Sequence, residues 1–136
     1  MRHSYLLIIV LFSFLLMFCS QQKPFIKGTW KLVYAEWVSP DTAMTRNLSN
    51  YSNPRMKIFT NSYFAFGSQN VNGSIAAGGG EYTLTGDTLT EHVKYHTVES
   101  LVNQSFTYKV WIQNDTLYQK GKIQNYNCLE KYIRVE

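Results

Sequence analysis

From Phe25 onward the dominant period of the apolar residues is two, and no window sustains a period near 3.6. A chain patterned this way can bury its apolar side chains only as one face of a pleated sheet. The alternating runs are punctuated by turn residues. Gly86-Asp87 separates Gly80–Thr85 from Thr88–His96, and Gln113-Asn114-Asp115 separates Phe106–Ile112 from Thr116–Lys122. Asn61-Ser62 divides Arg55–Thr60 from Tyr63–Gly67, Phe25–Val38 reads as the first strand, and Tyr126–Val135 as the last. The first strand is expected to set Trp30, Leu32 and Tyr34 on one face and Val33, Ala35 and Trp37 on the other. Ser68–Gly79 reads as a loop of small residues. Pro40–Pro54 is polar, long for a hairpin connection, and a candidate short helix or lid. About eight hairpin-linked strands remove their exposed edges by closing on themselves, which predicts an all-β fold: a single antiparallel up-and-down β-barrel.

The first eighteen residues are of a different kind. Arg2 and His3 precede an apolar run from Tyr5 to Phe18, shorter than the roughly 20 residues a membrane-spanning helix needs. This is the pattern of a secretory signal peptide over residues 1–18. Leu16-Met17-Phe18-Cys19-Ser20 resembles a bacterial lipobox, which implies lipidation of Cys19, a tether over residues 19–24 and a domain over residues 25–136. The expected location is the bacterial cell envelope, as a membrane-anchored lipoprotein facing the periplasm or the cell surface. With Cys19 lipidated, Cys128 has no partner for an internal disulfide and reads as a small buried hydrophobe.

Charge excludes one class of partner. Of thirteen basic residues Arg2 lies in the leader, so the rest carries twelve against nine acidic ones, a net +3 with no basic run. Nucleic-acid binding would call for a contiguous basic stripe.

Gly28-Thr29-Trp30 is similar to the Gly-x-Trp that opens the first strand of lipocalins and related calycins. The segment Gly78–His92 resembles the central hairpin of small lipocalin-like lipoprotein domains common in Bacteroidetes, whose function is largely unassigned. The resemblance covers about Lys27 to Val135. It implies a barrel that holds a small apolar or amphipathic molecule, and a late basic residue, here Arg134, packed across Trp30.

Within Thr88–His96 the alternation predicts Leu89, Glu91, Val93 and Tyr95 inside, with His92, Lys94 and His96 outside. A lone interior carboxylate costs several kcal/mol unless it is partnered, so Glu91 is either a ligand anchor or an internal partner of Arg55, Arg134 or a Tyr hydroxyl. Tyr132 and Arg134 share a face and offer a second anchor, against the alternative of Arg134 stacked on Trp30. Phe64, Phe66, Tyr82, Phe106 and Tyr108 are the expected aromatic lining. The chain lacks Cys-x-x-Cys, His-Glu-x-x-His and Gly-x-Ser-x-Gly, and His92 and His96 lie about 13 Å apart along a strand. Gly78–Gly80 has no following Lys-Ser/Thr and suits a bulge or bend rather than a phosphate loop. The sequence therefore predicts a non-enzyme with no catalytic residue, metal or cofactor: a lipoprotein that binds a small hydrophobic or amphipathic ligand. The alternative is a filled barrel acting through protein contacts at Pro40–Pro54, with Tyr51, and at Ser68–Gly79.

Overall fold

The computed structural model describes residues 25–39 and 55–136 in full and residues 45–47 as backbone. The signal segment, Cys19, the tether and most of Pro40–Pro54, including Tyr51, lie outside the described residues. The strands are β1 (Gly28–Val38), β2 (Thr45–Asn47), β3 (Met56–Phe59), β4 (Tyr63–Gln69), β5 (Ile75–Thr85), β6 (Thr88–His96), β7 (Ser105–Gln113), β8 (Thr116–Ile123) and β9 (Tyr126–Arg134). One 3-10 turn, Glu99–Leu101, lies between β6 and β7. Every pairing is antiparallel. Strand β9 returns to pair with β1, so β1 and β3–β9 close an eight-stranded up-and-down barrel. The short β2 extends the other edge of β1 beyond β3.

The hairpins β3–β4, β5–β6 and β7–β8 gather at one end, beside the start of β1 and the end of β9. Their turns follow from local chemistry. Gly86 takes φ +60° as the first residue of a two-residue turn, and Asn114 and Asp115 both take positive φ, as a type I′ turn requires. At this end Ile26, Trp30, Phe59, Tyr82 and Leu89 are buried together. Arg134 seals it from outside, its guanidinium 4.2 Å from the Trp30 ring centroid and its Nη1 donating to the Lys27 carbonyl at 2.8 Å. Gly28 is left-handed at φ +138°, and a Cβ there would run into Arg134 Nη1. The Gly-x-Trp spacing thus makes room for the cation that covers the Trp.

Two bulges shift the alternation. In β1 the register against β9 skips Val33, so Trp30 and Leu32 point inward, then Ala35 and Trp37 do, and Tyr34 does not share the buried face of Trp30. In β6 the register against β5 passes from Gly80↔Val93 to Gly79↔Tyr95, leaving Lys94 as the extra residue. The expected loop over Ser68–Gly79 is also shorter than predicted. Strands run to Gln69 and resume at Ile75, around a turn in which Asn70 Oδ1 accepts from the amides of Asn72 and Ser74. Its small residues serve as strand because large rings lie on them: a Cβ on Gly78 would stand 2.9 Å from Phe66 Cε1, and one on Gly79 2.6 Å from Tyr95 Oη.

Candidate functional site

The opposite end holds a cavity of about 60 Å³. Its buried floor is made by Lys57, Phe64, Glu91, Tyr108, Gln119 and Glu130, one from each of six strands. Its rim is the half-buried Trp37, Phe66, His96, Leu101, Phe106 and Ile123, with Leu101 supplied by the 3-10 turn. Arg55, just before β3, reaches in between Phe66 and Trp37, 4.7 and 5.9 Å from their ring centroids.

The floor is a polar network inside an aromatic cage. Lys57 Nζ lies 2.5 Å from Glu91 Oε1 and donates to Gln119 Oε1 at 3.1 Å. The rings of Phe59, Phe64, Tyr108 and Tyr132 surround its ammonium at 5.3–5.9 Å. Arg55 Nη1 pairs with Glu130 Oε1 at 3.4 Å, and the Tyr132 hydroxyl donates to Glu130 Oε2 at 2.6 Å. Two cations and two carboxylates therefore balance in a space where an unmatched charge would cost several kcal/mol.

Burial pushes the Glu91 carboxyl above its ordinary range, against the opposing pull of the Lys57 ammonium. Burial also raises the Tyr108 and Tyr132 hydroxyls well above the usual phenol value, with the nearby carboxylates adding to it. Burial tends to lower Arg55, but Glu130, Tyr132 and Tyr108 together outweigh it and the guanidinium is held up. His96 moves the other way, lowered by burial and then by Arg55. Its Nδ1 accepts from the Val98 amide at 2.8 Å, which leaves the ring proton on Nε2.

Of the residues singled out by sequence, Glu91, Phe64, Phe66, Phe106 and Tyr108 line the cavity. Tyr82 lies instead in the sealed end, edge-on to Phe59 at 5.3 Å with its hydroxyl donating to the Thr60 carbonyl. Tyr132 is buried beneath the lining, its hydroxyl on Glu130 and its ring 5.9 Å from the Lys57 ammonium. Further expectations are corrected. Tyr95 is outside, 57 % exposed, because the Lys94 bulge flips the strand, and the same flip brings His96 inside while His92 stays out against Ser105. Arg134 is far from the cavity, engaged with Trp30 and the chain before β1. Glu91 meets Lys57, not Arg55, Arg134 or a Tyr hydroxyl as its ion partner.

Lys57, Gln119 and Glu130 were missed, while Arg55 entered only as a candidate partner of Glu91. Each of the three missed has a signal in the pattern: Lys57 is two residues from Phe59, Gln119 two from Leu117, and Glu130 two from both Cys128 and Tyr132, so each shares an inward face. Cys128 is buried, and its thiol is pushed up to about 12, first by burial and then by Glu130. Among the described residues no group of three His, Cys, Asp or Glu is placed to hold a metal ion.

No protein-family model matches the sequence, and no curated protein matches it. Solved structures do. A lipocalin-like protein from Bacteroides uniformis superposes with a TM-score of 0.52 at 14% identity, over 80% of this chain and 97% of that one. An uncharacterized protein from Bacteroides eggerthii gives a TM-score of 0.50 at 14% identity, over 77% and 97%. At such identities the likeness is one of fold.

Proposed function

We propose, from the premise that this chain is a small lipocalin-like barrel, that it is an exported lipoprotein which holds a small amphipathic molecule by its polar end and acts by binding rather than catalysis. The observation that carries this reading is the grading of the cavity: a half-buried apolar rim above a buried, hydrogen-bonding floor. Ligand pockets typically combine such apolar walls with a few placed polar groups. A cavity of about 60 Å³ is worth about two waters, so it suits a head group with the apolar part lying along Phe66, Phe106 and Ile123. The leader and the Leu16–Cys19 motif support the lipid anchor. Phe25 enters at the sealed end, so a tether from Cys19 would leave the rim turned away from the membrane.

Native mass spectrometry of the protein taken from its own envelope tests both parts together. The expected spectrum carries a diacylglyceryl mass on Cys19 and a non-covalent small molecule. An unmodified Cys19 would remove the anchor. An empty barrel that takes up no amphipathic probe would remove the carrier.

A second reading is favoured by the same small volume. Here the barrel is filled, the charged network only specifies its packing, and the working surface is the outside of the open end. An empty barrel in the spectrum together with a co-purifying protein would support it.

A further inference from the structure

Three N–H donors lining the cavity find no acceptor among the described residues: Trp37 Nε1, Arg55 Nε and Gln119 Nε2. Gln119 is 1% exposed, so water at the surface does not serve it. A buried donor left without a partner is costly, and proteins rarely leave three around one space. Glu91 Oε1 also lacks a hydrogen bond but is ion-paired with Lys57 at 2.5 Å, and Glu130 is committed to Arg55 at 3.4 Å. The site is therefore rich in donors yet electrically balanced.

We infer that the cavity receives an uncharged hydrogen-bond-accepting head group, a ketone, ester or amide carbonyl, and discriminates against a carboxylate. This rests on the carrier reading above. A carbonyl oxygen accepts from these N–H groups without altering the charge balance. A carboxylate would arrive as a third negative charge beside Glu91 and Glu130, with both cations already paired, in a site where such an excess is poorly solvated. The volume agrees, since about 60 Å³ admits a carbonyl and its neighbouring atoms but not a chain.

The test uses three probes of matched length, 2-undecanone, decanoate and undecane, titrated into the full chain at neutral pH and followed by calorimetry and Trp fluorescence. The ketone is expected to bind at least tenfold more tightly than either of the others. Trp37→Phe keeps a ring at the rim and removes one donor, and is expected to weaken the ketone about fivefold while leaving undecane unchanged. Gln119→Met, which removes another donor at similar volume, is expected to do the same and guards against a fold-specific effect of either variant. Decanoate binding as tightly as the ketone would overturn the inference. Undecane matching the ketone would also overturn it, while leaving a carrier that ignores head groups. If none of the three binds, the carrier reading and this inference fall together.

Discussion

The sealed and open ends of the barrel are built from the same strands and the same alternation, yet they fill their interiors by opposite means. At the sealed end Ile26, Trp30, Phe59, Tyr82 and Leu89 bury apolar surface, and the polar atoms of Trp30 and Tyr82 find backbone carbonyls at 2.7 Å each. At the open end the volume is taken by Arg55, Lys57, Glu91, Gln119 and Glu130, held by one another rather than by the backbone. Apolar burial is worth roughly 25 cal/mol per Å² wherever it occurs, whereas a buried ion pair is worth keeping only while both partners are present. The sealed end is thus built for stability, and the open end carries a cost that packing alone would not select.

The largest effects should separate these two designs. Phe59→Ala is expected to cost about 3–5 kcal/mol in urea unfolding, with no second substitution at Glu91 restoring it. Lys57→Met is expected to cost about 3–5 kcal/mol as well, by leaving Glu91 buried and unmatched, but adding Glu91→Leu should recover most of the loss. If the double variant is no more stable than Lys57→Met alone, the contrast between the ends is broken. The Lys57→Met loss should also grow with pH. Without the ammonium the Glu91 carboxyl rises further, so the protonated form is the one the fold prefers. Its stability is then full below the unfolded value and lost as pH rises through the folded one. Urea midpoints at pH 5 and pH 8 check this.

A smaller effect is expected at Gly80, where a Cβ would collide with the His92 carbonyl and stand 2.8 Å from the Lys94 amide. Gly80→Ala should cost about 1–3 kcal/mol and loosen the bulge, read as faster amide exchange at Val93 and Asn103, whose amides bond across the β6–β7 connection. The smallest effect concerns His96. Because its folded pKa is lowered, the neutral ring is favoured, and its contribution is present above the unfolded value of about 6.5 and lost as pH falls through the folded one. His96→Gln should flatten the urea midpoint between pH 7 and pH 5, while Tyr95→Phe, outside the barrel, should leave it unchanged.

Much of the fold was legible because a period of two and short Gly, Asn and Asp turns are local signals. Gly86-Asp87 and Asn114-Asp115 close their hairpins where predicted. The site was legible only in part. Glu91 stood out as one charge among Leu89 and Val93, but Lys57 sits in Met-Lys-Ile-Phe, where its spacing from Phe59 competes with the equally apolar pair Met56 and Ile58 for the inner face. The pairing of Glu91 on β6 with Lys57 on β3 runs across the interior, between strands separated by β4 and β5 that the curvature of the closed sheet brings face to face. The bulge at Lys94 is marked only in its partner strand, where Gly79 and Gly80 make space that no side chain could share, and the bulge at Val33 against β9 has no such glycine opposite it.

Lys94 therefore works like a single inserted letter in a two-letter code. Absorbed as a bulge it leaves Tyr95 outside and His96 inside; paired into a regular strand it would exchange the imidazole for a phenol at the threshold of the cavity without replacing either residue. In a barrel of this kind the lining can be rewritten by whether an extra residue is bulged or paired as readily as by substitution, and two chains that look alike position by position can present different chemistry to whatever they hold.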